Sequence, residues 1–207
     1  MEDWTAYEAK GRELVALLAQ NHIEKWLHYG VNTFRWWLLV GLLMVPWLIW
    51  VKFADRRWLP ESMLAGAMVI IITLLFDWTG YYLNFWDYPV ELLPAVPGGL
   101  AFDLSVLPVP YMLMYLYLPS WRSYLLGLLF MTVVYAFIGE PLAIGLDLVS
   151  YIEWKNVYSV GYYVVTGVFT KAAVDTVMAF SRGTERGRPL RPQSGRGWAF
   201  RRSRSKV

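Results

Sequence analysis

Residues 34–53 read FRWWLLVGLLMVPWLIWVKF, with Arg35 and Lys52 as the only charges and one near each end. A helix that crosses the hydrocarbon core needs about 20 mostly apolar residues. This stretch therefore reads as a membrane span, with Pro46 expected to bend it. The pattern repeats along the chain. A second span starts at Pro60, a favoured first-turn residue, and runs through MLAGAMVIIITLLF to Leu83. A fourth runs from Trp121 to Ile138, and a weaker fifth, 157–178, carries Lys171 and Asp175. The third, 102–118, reads FDLSVLPVPYMLMYLYL and holds Pro108 and Pro110. Each proline lacks an N–H and crowds the carbonyl four residues back. Residues 102–118 are thus expected to be a broken helix, with carbonyls freed near Leu104 and Val106. The expected fold is an all-α, polytopic membrane bundle of five helices with a proline-broken third, or of four if the third or fifth is only partly inserted.

Composition agrees. Apolar residues make up 57 % of the 207 and charged residues 17 %, against about 45–50 % and about 25 % in soluble domains. There is no cysteine, which excludes disulfides, thiolate catalysis and cysteine-held metals. His22 and His28 are the only histidines, and no Walker loop, G-x-S-x-G, H-E-x-x-H or dinucleotide fingerprint occurs. No metal or cofactor is expected. Residues 1–33 lack the basic and apolar regions of a signal peptide. They read as an interfacial or packing helix with Trp4, Tyr7, Leu14, Leu18, Trp26 and Leu27 as its apolar side. The bundle then covers 34–180 and a basic tail 181–207. The tail has nine bases against Glu185 and reads as disordered. Its Arg182, Arg186, Arg188, Arg201, Arg202 and Arg204 are expected to contact anionic lipid. A purely topogenic role is the alternative, and nucleic acid is not expected. Protein partners would be a second copy or another membrane protein.

Five spans put the termini on opposite sides. The N-terminal side would carry five Lys and Arg and the other side thirteen. Basic residues stay cytoplasmic, so the expectation is N-terminus outside and C-terminus inside a plasma membrane. The tryptophans near predicted helix ends (Trp36, Trp37, Trp50, Trp58, Trp78, Trp86, Trp121, Trp154) read as interfacial anchors.

On the outer side this topology gathers Asp77, Asp87, Glu91, Asp103, Glu140, Asp147 and Glu153 against Lys155. That would make an electronegative patch that concentrates cations. Asp77, Asp103 and Glu140 adjoin apolar runs. Ionisable groups at membrane depth face a bundle interior or a wet cavity and are functional candidates. The plainer alternatives are a buried hydrogen-bonded acid for Asp77, a helix N-cap for Asp103, a solvated helix end for Glu140, and loop charges for Asp87 and Glu91. Lys171 and Asp175, one turn apart, read as a local pair or a snorkelling lysine.

The segments FDWTGYYLNFWDYPVELLP, FDLSVLPVPYMLMYLYLPSW, IGEPL and YIEWKNVYS resemble a family of small multi-span membrane proteins of unassigned activity common in spore-forming bacteria. The resemblance covers roughly residues 70–175, including Trp86-Asp87-Tyr88-Pro89, Glu91-Leu92-Leu93-Pro94, Phe102-Asp103, Tyr111, Trp121, Glu140-Pro141 and Trp154-Lys155. It implies integral-membrane character. Trp86-x-Tyr88, Gly98-Gly99 and Phe102-Asp103, in that order, are faintly similar to membrane-embedded carotenoid (lycopene-type) cyclases. The paired acids that follow a proline in those enzymes are missing here. Three functions are left open: a non-enzymatic binding or transport component with an outward acidic, aromatic cavity for a cation, proton or small amphiphile; a lipid or isoprenoid enzyme using carboxylic acids; and a scaffold with a lipid-binding tail.

Overall fold

The computed structural model describes residues 2–94 and 98–186. They form seven α-helices and one short ribbon: α1 (Glu2–Lys25), α2 (Phe34–Phe53), α3 (Leu59–Tyr82), β1 (Trp86–Asp87), α4 (Pro108–Tyr117), α5 (Trp121–Val134), α6 (Glu140–Gly145), β2 (Ser150–Tyr151) and α7 (Asn156–Arg186). The two strands pair antiparallel, Trp86 opposite Tyr151 and Asp87 opposite Ser150. Four helices are long and apolar enough to cross a membrane: Phe34–Phe53, Leu59–Tyr82, Trp121–Gly145 and Asn156–Ser181.

Helix ends follow local chemistry. The Thr33 side chain accepts the Trp36 N–H at the start of α2, and the Ser120 side chain accepts the Ser123 N–H at the start of α5. Both are N-caps. The Pro119-Ser120 junction thus ends one helix and caps the next, as a tight hairpin requires.

The prolines act through wide turns. Residues Phe102–Val106 form a π-turn just before Pro108, and Tyr135–Gly139 form another just before Pro141. A proline cannot donate to the carbonyl four back, and a one-residue register slip to i→i+5 bonding accommodates it. The two carbonyls expected to be freed find side-chain donors. Trp47 Nε1 donates to Leu104 O at 2.8 Å, and the Tyr135 hydroxyl donates to Val106 O at 2.8 Å. These carbonyls are therefore internal braces between helices.

The second π-turn corrects one boundary. The fourth span does not stop at Ile138. Helical backbone continues through Glu140 and Pro141 to Gly145, because Pro141 sits at the favoured start of α6 and the wide turn absorbs its missing donor. Helix α7 likewise runs on to Arg186, so the tail does not begin at Ser181. Arg188, Arg201, Arg202 and Arg204, with the rest of the basic tail, lie outside the described residues.

Polar side chains tie the helices together. The Tyr111 hydroxyl donates to Tyr163 O at 2.8 Å and the Tyr124 hydroxyl to Gly167 O at 3.1 Å, fixing α4 and α5 on α7. Trp50 Nε1 donates to the Ser62 hydroxyl, which donates in turn to Met112 O. Apolar solvent offers no drive to pack apolar side chains in a bilayer, so such interhelical hydrogen bonds matter more there. Lys171 is buried. Its Nζ donates to Pro119 O, lies 3.5 Å from Asp175, and faces the rings of Tyr115, Trp121 and Tyr124. The expected local pair is present, with an aromatic cage that local spacing did not reveal.

Most of α1 is exposed, including Trp4, Tyr7, Leu14 and Leu18, as is Leu27 just after it. Packing on the bundle is confined to its end. His22 is buried, Trp26 Nε1 donates to Leu92 O, and Lys25 Nζ donates to Tyr88 O. Trp50 and Trp86 are buried rather than anchoring, whereas Trp37, Trp58, Trp78 and Trp121 are exposed.

Candidate functional site

A cavity of about 310 Å³ lies between α2, α3, the two π-turns, α6 and the start of α7, with the ribbon over one end. Asp77, Asp103 and Glu140 all line it. Asp87 and Glu91 do not. Three of the five acids singled out in the sequence thus converge, although 63 residues of chain separate Asp77 from Glu140.

Asp77 is reached from three directions. Trp86 Nε1 donates to its Oδ1 at 2.8 Å, the Tyr88 hydroxyl donates to the same oxygen, and the Gly99 N–H donates to Oδ2 at 3.0 Å. The chain reverses after α3 so that Trp86, Tyr88 and Gly99 come back onto its last turns. Two glycines allow this. A Cβ on Gly80 would occupy the Trp86 ring, and Gly98 has φ +116° beside the Asp77 carboxylate, a conformation that side chains disfavour. Tyr88 lies outside the spans. Burial, with Asp77 close by, pushes its hydroxyl well above the ordinary value, so it remains a donor.

Asp103 is buried inside the first π-turn and lines the same cavity as Asp77. Helical backbone begins before it, with Ala101 already helical, so it is not an N-cap. The Thr73 hydroxyl donates to Asp103 O at 3.3 Å and fixes the turn against α3.

Glu140 is not a solvated helix end; it is buried on the opposite wall. The Tyr163 hydroxyl donates to its Oε1 at 2.7 Å and Asn156 Nδ2 to its Oε2 at 3.0 Å. Between the acids stand aromatic rings. Phe76 stacks on Tyr162 with centroids 4.0 Å apart, and Trp86 meets Trp154 edge-on at 5.0 Å. Charge is one-sided: no Lys, Arg or His is among the lining residues.

Two acids of the expected outer electronegative patch have a basic partner. Arg35 pairs with Asp147 at 2.5 Å, and His22 Nδ1 lies 2.5 Å from Glu91. Glu91 is buried, not a solvated loop charge, and clamps the end of α1 to the loop after β1. Burial raises its carboxyl above the ordinary 4.5; His22 and Lys25 oppose the shift and Asp87 adds to it. The folded state then holds the Glu91 proton more tightly than the unfolded state. Its contribution is full below 4.5 and is lost as pH rises through the raised value. Glu91→Gln is expected to flatten the fall of unfolding free energy with pH above 4.5. Parallel pH profiles for variant and wild type would show the reading of Glu91 to be wrong.

Trp86, Tyr88, Asn156, Tyr162 and Tyr163 were not singled out from the sequence as site residues. Helical spacing carries part of the signal. Thr73, Asp77 and Gly80 fall four and then three residues apart on one face of α3, as Asn156, Ser159 and Tyr163 fall three and then four apart on α7. The return of Trp86 and Tyr88 onto Asp77 has no such signal.

Fold and site together define an all-helical protein with four helices fit to cross a membrane and an internal aromatic cavity that carries three carboxyl groups. No family model, curated protein or solved structure matches the chain.

Proposed function

We propose that the chain is a multi-pass plasma-membrane protein that binds a small neutral or cationic amphiphile in its aromatic cavity. The observation that carries this is the lining: apolar and aromatic over most of its surface, acidic at two walls, without a basic side chain. Small-molecule sites have this character, an apolar body with a few placed polar groups, at about 300–1,000 Å³. A bare metal ion is the weaker reading. Among the described residues no three acidic or imidazole groups form a metal shell, and Asp77 and Glu140 already accept protein donors.

Residues 100–117, helical through the π-turn and α4, would be the fifth span. At about 1.5 Å per residue the segment approaches the ~30 Å core, and it is buried among its neighbours. The charge bias then favours the N-terminus outside and the basic C-terminal segment against anionic lipid inside. The exposed apolar residues of α1 suit an interfacial position.

The test is a series sharing one fluorophore: pyrenebutanol, pyrenebutylamine and pyrenebutyrate. A ligand that binds only the folded state stabilises it by about 2.7 kcal/mol at a hundredfold excess over Kd. The alcohol and the amine are expected to raise the melting temperature, and the butyrate to leave it unchanged. Asp103→Asn should reduce the preference for the amine over the alcohol. No shift with any probe, or equal stabilisation by the butyrate, would count against the reading.

A second reading has its own observation. Two buried carboxyl groups, Asp77 and Asp103, on an aromatic and apolar wall are suited to acid chemistry on a membrane-dissolved substrate. It predicts a changed lipid profile in cells carrying Asp103→Asn.

A further inference from the structure

We propose that the cavity is loaded sideways from the bilayer, through a portal between α2 and α6, so that its ligand is a molecule dissolved in the membrane. The inference rests on the amphiphile reading above and names the source of that ligand.

Both ends of the cavity are closed. At the ribbon end Trp86, Tyr88, Leu148 and Val149 are buried, and at the far end Leu107 and Tyr163 are buried. Among the described lining residues Leu142 of α6 is the most exposed, at 60 %, so the wall reaches the surroundings there, and Leu38 and Leu42 of α2 are half-buried. Helix α2 packs mainly on the first π-turn and on α4, and α6 packs on the second π-turn. The proposed opening lies between Leu42 and Leu142, both of which line the cavity.

The rim decides which solvent it meets. Both walls lie within helices fit to span a membrane, Phe34–Phe53 and Trp121–Gly145. Exposed residues of the same two segments, Trp37 and Val45 of α2 and Phe137 and Ile138 before α6, are apolar, and the Arg35–Asp147 ion pair marks the polar end of both. An opening rimmed in this way and placed at span depth would face acyl chains, since a water-facing mouth of this size would expose apolar surface at a cost of about 25 cal/mol per Å². Entry from the bilayer also fits the charge of the lining. A neutral headgroup crosses apolar lipid at low cost and meets carboxyl groups inside, whereas an anion is opposed at both steps.

The absence of native cysteine allows a clean test. Spin labels on Leu42→Cys and Leu142→Cys, in phosphatidylcholine–phosphatidylglycerol vesicles, should relax strongly with oxygen and weakly with a water-soluble nickel chelate. The reverse order would overturn the portal whatever the ligand proves to be. In the second arm, vesicles carrying pyrenebutanol load wild type, Leu42→Trp and Leu142→Trp. The bulky variants are expected to slow both loading and release at least tenfold. Loading at the wild-type rate in both variants would refute lateral entry while the amphiphile reading stands. Failure of wild type itself to take up pyrenebutanol would refute the amphiphile reading, and the portal would fall with it.

Discussion

Replacing Asp77 by alanine is expected to lower the unfolding free energy by about 3 kcal/mol or more, because three buried donors lose their acceptor. The Trp86 indole, the Tyr88 hydroxyl and the Gly99 N–H all lose their acceptor. Each stranded donor costs about 1–3 kcal/mol in a buried setting. Removing a buried charge can itself be favourable, but only when its partners are replaced as well, and here they stay. Asp77→Asn separates the effects. Its carbonyl oxygen still serves Trp86 and Tyr88, while its amide group confronts the Gly99 N–H, so the loss should be smaller. Equilibrium unfolding in mixed micelles measures both variants. An alanine variant within 1 kcal/mol of wild type would mean that the cluster does not hold Trp86, Tyr88 and Gly99 over α3.

The second large effect concerns packing. Gly80→Ala places a methyl group where the Trp86 ring lies. That ring cannot simply move, since its Nε1 is bonded to Asp77 and its faces meet Phe76 and Trp154. Overpacking of this kind costs about 1–3 kcal/mol. Alanine gains up to about 1 kcal/mol over glycine in a helix, so the sign is set by the clash. Gly41→Ala is the control. A Cβ there meets nothing within 4 Å, and the propensity gain should appear alone. Gly80→Ala is expected to destabilise the protein and to weaken pyrenebutanol binding by displacing the ring that closes the ribbon end. Equal stabilities for the two alanine variants would refute the packing argument.

The three acids that meet in the cavity show how far local reasoning reaches. Each stood out because a charge beside an apolar run is costly and asks for a reason. Their joint location was not legible, because Asp77 and Asp103 meet only when the chain turns back after α3. The end of the fourth span, set at Ile138 before Glu140, differs for a specific cause. Glu140-Pro141 reads as a helix boundary, since a proline opposes the helical carbonyl four residues back. A π-turn resolves that conflict without ending the helix, and so carries Glu140 inside.

By itself the sequence determined what depends on short-range chemistry. Hydropathy over twenty residues placed α2 at 34–53 without error, and the covalent structure of proline identified Leu104 and Val106 as the carbonyls that lose their helical donors. Tertiary structure alone decided where those carbonyls turn, toward Trp47 and Tyr135, and which acids share a cavity. The reason is one of range: helical bonding and hydropathy act within a few turns of chain, whereas donors such as Trp47, 57 residues from Leu104, are brought into contact only by the packing of the whole bundle.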